Sequence, residues 1–149
     1  MSQPKVAVIG SRGRMGATVC RAVEAASDLE FVGGFDMGDE LGDLGGADVV
    51  VEFSVPSASL ANVVACVSRG VHVVVGTTGW DDAKLDELRQ QLLAAPEARA
   101  GGPVGVLIAP NFALGAILMM SFAAQAARFF ESVEVVELHH PNKVDAPSG

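Results

Sequence analysis

Lys5-Val6-Ala7-Val8-Ile9-Gly10-Ser11-Arg12-Gly13-Arg14-Met15-Gly16 is the stretch that decides the fold. Residues 5–9 are a short apolar, β-branched run, the pattern of a buried strand. Residues 13–26 then place Met15, Val19, Ala22, Val23 and Ala26 at helical spacing. Between the two lie glycines at 10, 13 and 16. Gly10 permits a sharp exit from the strand, Gly13 leaves room for a pyrophosphate against the backbone, and Gly16 lets the helix pack close to the sheet. Amides at the helix start face the phosphate charge. A glycine triplet alone is a weak signal, but strand, glycine turn and amphipathic helix together are the context that dinucleotide binding requires. The spacing is G-x-x-G-x-x-G rather than G-x-G-x-x-G.

Working outward, strand and helix patterns alternate. Strands are expected at residues 29–35, 47–53, 71–75, 104–109 and 133–139, the last with partial alternation. Helices are expected at 56–69, 81–93 and 114–130, with Pro56 well placed as a first helical residue and Asp81 or Asp82 as a cap. Such alternation predicts an α/β fold: a Rossmann-type doubly wound parallel sheet with helices on both faces. Ligands of such sheets collect at the carboxyl ends of the strands. The residues that follow each strand therefore matter most.

Asp36 ends the second strand, where this fold sets a carboxylate on the adenosine ribose. A carboxylate there accepts from the 2′-hydroxyl and repels a 2′-phosphate. Met37 beside it is not basic, whereas Arg12 and Arg14 are near enough in sequence to offset a 2′-phosphate. The expectation is NADH preferred and NADPH tolerated; the alternative is that Asp36 is only a loop carboxylate. Gly76-Thr77-Thr78-Gly79 follows strand four, and reads either as cofactor contact or as a plain turn. Ala109-Pro110-Asn111-Phe112 follows strand five; Phe112 either walls a flat ring or belongs to the core of the next helix. Ser54 and Pro56 read as a helix start, with cofactor contact left open.

The totals exclude other classes. The chain has 149 residues, half of them hydrophobic and 19% charged, enough for a domain with a real core and unlike a disordered segment. With no Tyr and one Trp there is no aromatic platform for single-stranded nucleic acid. A net charge of −8 argues against binding nucleic acid or an anionic membrane, though a local positive cluster still accommodates a small anion. Cys20 and Cys66 have no metal-site spacing and read as small buried hydrophobes. The apolar region 103–127 is interrupted by Pro110, Asn111, Gly115, Ser121 and Gln125, so it reads as a buried strand and a buried helix rather than a membrane span. The strand pattern begins almost at once, so no secretory signal is expected, and the setting expected is reduced and cytoplasmic.

The segment from Glu137 to Gly149 carries the chemistry. His139 and His140 leave the last strand, Lys143 follows, and Pro147-Ser148-Gly149 makes a turn. Pro141 and Pro147 exclude a helix. Two imidazoles, an ammonium and a turn that offers backbone amides suit a dicarboxylate with a proton donor beside it. A polar surface loop is the bland alternative. Adjacent strand residues point apart, so no metal is expected.

Gly10–Gly16, Gly76–Gly79, Ala109–Phe112 and His139–Gly149 together, and in this order, resemble the motifs of the dihydrodipicolinate reductase (4-hydroxy-tetrahydrodipicolinate reductase) family of lysine and diaminopimelate biosynthesis. The resemblance covers essentially the whole chain. It implies hydride transfer from C4 of NADH or NADPH to an unsaturated cyclic dicarboxylate, giving tetrahydrodipicolinate. It implies His139 as general acid/base, Lys143 as proton donor and carboxylate contact, and His140, Ser148 and Gly149 as substrate-binding residues. Gly10, Ser11, Arg12, Gly13, Arg14, Met15, Asp36, Gly76, Thr77, Thr78, Ala109, Pro110, Asn111 and Phe112 fall on the cofactor side. It further implies residues 1–130 as the dinucleotide-binding domain and 131–149 as the start of an α+β substrate-binding and tetramerisation domain. In the family a threonine, a helix and an open sheet follow, so a homotetramer is expected of a longer chain, with 133–138 an exposed edge until paired. Two other readings stand beside it: another NAD-dependent amino-acid dehydrogenase, which leaves the His139–Gly149 segment unexplained, and a non-catalytic NAD-binding regulatory module.

Overall fold

The computed structural model describes residues 3–109, 111–136 and 138, and the described residues divide at Ala109 into two compact units. The first unit runs β1 (Lys5–Ile9), α1 (Arg14–Ala25), β2 (Glu30–Phe35), a 3-10 turn (Leu44–Gly46), β3 (Val49–Glu52), α2 (Pro56–Val67), β4 (His72–Val75), α3 (Asp82–Leu93) and β5 (Val106–Ile108). All strands pair in parallel, in the order β2-β1-β3-β4-β5. Helices α1 and α2 flank the sheet, α1 against β1 and β2 and α2 against β3 and β4, and α3 packs on α2. The α/β, Rossmann-like reading is therefore met.

Burial explains the order. In β1, Val6, Ala7, Val8 and Ile9 are all buried, so both faces of the strand are covered and it takes the centre of the sheet. β3 and β4 bury alternate residues, Val50 with Glu52 and Val73 with Val75. The core joins these to Leu44, Ala47, Val63, Cys66, Val67, Val71 and Leu88.

Register then lines up the carboxyl ends. Ile9 pairs with Phe35 on one side and Glu52 on the other; Glu52 pairs with Val75, and Val75 with Ile108. A register shift opposite Val6 and Ala7 keeps Ile9 level with Phe35. Asp36, Gly10, Phe53, Gly76 and Ala109, one residue beyond, therefore share one edge. The chain passes from β1 to β2 on one side and then returns to β3 on the other, so the switch point of the sheet lies between Gly10 and Phe53.

The second unit contains α4 (Leu114–Ala127). The expected burial of this helix is not found: none of its residues is buried. Apolar on all sides, it asks for cover on all sides, which the described residues of its unit do not supply. The sixth strand is likewise absent among the described residues of 133–138. A strand exists through its ladder, and no described residue pairs with this segment. No helix among the described residues is long and apolar enough to cross a membrane.

Candidate cofactor site

The site begins at Gly10. Its φ of 81° is left-handed, and a Cβ there would overlap the Phe53 carbonyl, so only glycine allows β1 and β3 to end this close together. The N–H groups of Gly10 and Ser11 both donate to the Phe35 carbonyl, at 2.8 and 3.1 Å, which ties the loop to β2. The Gly10 carbonyl accepts from Gly13 N–H at 3.0 Å. A Cβ at Gly16 would overlap that same carbonyl. Gly16 thus packs α1 onto the loop rather than onto the sheet as such. Gly13 caps α1 without any side-chain cap, and the first turn holds no acidic residue. The helix start, with Arg14 and Met15 in its first turn, is a ready anion site.

Asp36 stands at the rim, held by backbone. Its Oδ2 accepts from Arg12 N–H at 2.8 Å and its Oδ1 from Met37 N–H at 2.9 Å. The Arg12 N–H first, then that of Met37, holds the carboxyl below its ordinary pKa. Each oxygen keeps a lone pair for a ribose hydroxyl. Asp39 closes the rim: its Oδ2 accepts Asp36 N–H at 2.8 Å, and the Arg12 Nη2 donates to both its oxygens at 3.0 and 3.2 Å.

These elements enclose a cleft of about 510 Å³ at the switch point, lined among others by Gly10, Gly13, Asp36, Asp39, Ser54 and Asn62. The size suits part of a dinucleotide. On its β3 side lies a network that the sequence reading missed. Glu52 is fully buried. Its Oε1 accepts from Ser54 N–H at 3.0 Å, from the Ser54 hydroxyl, and from Asn62 Nδ2 at 3.4 Å; its Oε2 accepts from the Ser59 hydroxyl at 2.7 Å. Asn62 Nδ2 also donates to Ser54 Oγ at 3.1 Å. The signal was present: a lone carboxylate in the run Val49-Val50-Val51-Glu52-Phe53 has to find donors.

At β4, a Cβ on Gly76 would overlap the Phe53 ring, so the turn starts hard against that side chain. Lys84 Nζ donates to the carbonyls of Gly79 and Pro56, at 2.6 and 3.2 Å, and ties the 76–79 loop to the start of α2. Thr77 is buried, and its hydroxyl has no partner among the described residues. An orphaned buried hydroxyl at the ligand edge fits a turn completed by a ligand group. Thr78 follows it in the same loop. Ala109 N–H donates to the Val75 carbonyl at 2.9 Å. In the second unit, Asn111 Oδ1 accepts from Ala113 N–H at 2.8 Å, ahead of α4, and Phe112 is exposed. Pro110, His139, His140, Lys143, Ser148 and Gly149 lie outside the described residues.

The chain matches the family model "Dihydrodipicolinate reductase, N-terminus" over residues 4–46 and 38–112, and "Dihydrodipicolinate reductase, C-terminus" over 115–149. It is 56% identical over 147 residues to a 4-hydroxy-tetrahydrodipicolinate reductase of Nocardia farcinica, covering 97% of this chain and 57% of that one. It is 54% identical over 145 residues to the enzyme of that name in Cutibacterium acnes, covering 97% and 56%. A solved structure, dipicolinate-bound dihydrodipicolinate reductase from Paenisporosarcina sp. TG-14, superposes with a TM-score of 0.74 at 31% identity, over 99% of this chain and 62% of that one. The chain thus spans little more than half the length of the curated relatives it matches. Two consecutive family matches over nearly every residue, on a sheet whose edge carries the glycine loop and Asp36, leave one conclusion: this chain belongs to the dihydrodipicolinate reductase family.

Proposed function

We propose that the protein to which this chain belongs reduces 4-hydroxy-tetrahydrodipicolinate to tetrahydrodipicolinate with a nicotinamide dinucleotide. One observation carries the reading: the glycine loop, the Asp36 carboxylate and the buried Thr77 hydroxyl share one sheet edge, in a chain that matches both family models. The dinucleotide, when bound, supplies the hydride. Gly10, Ser11, Arg12, Gly13, Arg14 and Met15 take the pyrophosphate, and Asp36 takes the adenosine ribose. Gly76, Thr77, Thr78, Ala109, Pro110, Asn111 and Phe112 take the nicotinamide end. Asp36 is ionised at neutral pH, so NADH is favoured and NADPH tolerated.

His139 serves as general acid/base and Lys143 delivers the proton; His140, Ser148 and Gly149 hold the substrate carboxylates. The positive groups stabilise charge that develops during hydride addition. The dicarboxylate bound by the Paenisporosarcina relative fits a substrate of this class. Residues from 131 onward open the substrate part, the complete protein assembles as a homotetramer, and a small-molecule biosynthetic role places it in the cytoplasm.

His139→Gln tests the assignment. Turnover should fall by about two orders of magnitude or more while dinucleotide affinity is kept. Near-normal turnover removes His139 from the reaction.

A further inference from the structure

We propose that Asp39 sets the choice between NADH and NADPH by occupying the Arg12 guanidinium. The inference rests on the reading that the adenosine ribose sits at Asp36, and it assigns the control of that position to a residue outside the glycine loop.

The loop offers two arginines, and the structure treats them differently. Arg14 forms no ion pair among the described residues. Arg12 is held at both ends. Its backbone N–H is on Asp36 Oδ2 at 2.8 Å, and its Nη2 lies 3.0 and 3.2 Å from the two oxygens of Asp39. Asp39 is not a loosely placed partner. Its own N–H donates to the Asp36 carbonyl at 3.0 Å, and its Oδ2 accepts the Asp36 N–H at 2.8 Å. This reciprocal turn fixes the carboxylate beside Asp36 before Arg12 arrives.

The guanidinium nearest the ribose carboxylate is therefore already neutralised. A 2′-phosphate there can recruit Arg12 only by displacing Asp39. A 2′-hydroxyl meets no such demand, because it donates to Asp36 and leaves the pair intact. Arg12 is largely exposed, at 69%, so the pair is weak and a phosphate competes for it. The device tilts selection and does not forbid NADPH, which agrees with a preference rather than an exclusion.

Asp39→Asn keeps an acceptor oxygen for the Asp36 N–H and removes the charge that holds Arg12. Dissociation constants of NADH and NADPH, measured by calorimetry at fixed ionic strength on the wild type, Asp39→Asn, Arg12→Met and the double variant, test the idea. Melting curves would confirm that each variant is folded. Asp39→Asn should tighten NADPH about tenfold and leave NADH within about twofold; with Arg12→Met beneath it, the same change should move NADPH by no more than about twofold. An equal gain without Arg12 means that Asp39 acts by its own charge alone, and overturns the proposal; so does no gain in either background. Asp36→Ala separates the two levels. If it changes the NADPH to NADH ratio while Asp39→Asn does not, only the role of Asp39 falls. If it changes neither affinity, the ribose is not at Asp36 and both readings fall.

Discussion

Single residues account for how closely the parts of this site approach. The Gly10 carbonyl takes the Gly13 N–H and leaves no room for a Cβ at residue 16. Gly16→Ala should therefore lift α1 off the loop, with a loss of about 1–3 kcal/mol in denaturant unfolding and weaker dinucleotide binding. An alanine variant with wild-type stability and affinity would show that the contact is not needed. Glu52 answers to the same logic of tight placement. Its removal strands the donors of Ser54, Ser59 and Asn62, so Glu52→Ala should cost about 1–3 kcal/mol in the same measurement. Glu52→Gln should cost less, because the amide oxygen still accepts. Cys66 gives a pH signature. Burial pushes its thiol up to about 12. The folded state thus keeps a proton that the unfolded chain releases near its ordinary value, so this contribution is intact below about pH 8.5 and is lost as pH rises toward 12. A thiol reagent at neutral pH should label Cys20, which is partly exposed, well before Cys66. Equal labelling rates would contradict that burial.

At the scale of elements, much was legible because local signals agreed. The β1 expectation matches residue for residue, and α3 starts where the Asp81 cap places it: the Asp81 Oδ1 accepts Lys84 N–H at 2.9 Å. Asp81→Ala should destabilise by about 1 kcal/mol in urea, and it should disturb the 76–79 loop through Lys84. An unchanged midpoint would show that the cap does not stabilise α3. The second unit was read less well. A mean apolar character says that a helix needs cover, not where the cover comes from, so α4 was expected buried and is not. A strand at 133–138 likewise needs a neighbour that no local pattern can supply. Glu52 shows the opposite gap: the residue type was visible inside an apolar run, yet its partners lie beyond the end of that run, in the β3–α2 turn and on α2.

Over the whole molecule, the cleft is a product of topology. Gly10 and Phe53 become neighbours because β1 lies between β2 and β3, and no stretch of chain contains that fact. The glycine loop has the pattern of a dinucleotide turn, the register of five parallel strands brings Asp36, Phe53 and Gly76 to the same edge, and the family match supports the proposal that this edge serves a reduction. The chemistry assigned to His139 and Lys143 belongs to the segment outside the described residues, and the resemblance carries it. The proposed function joins two things at this edge, a bound nicotinamide dinucleotide and the reduction of a cyclic dicarboxylate. The most direct measurement is NADH oxidation by the complete protein, with and without freshly generated 4-hydroxy-tetrahydrodipicolinate. The proposed reduction requires oxidation that depends on that substrate and is sharply weakened by Asp36→Ala when NADH is limiting. Bound NADH that is never oxidised when the substrate is present would contradict it.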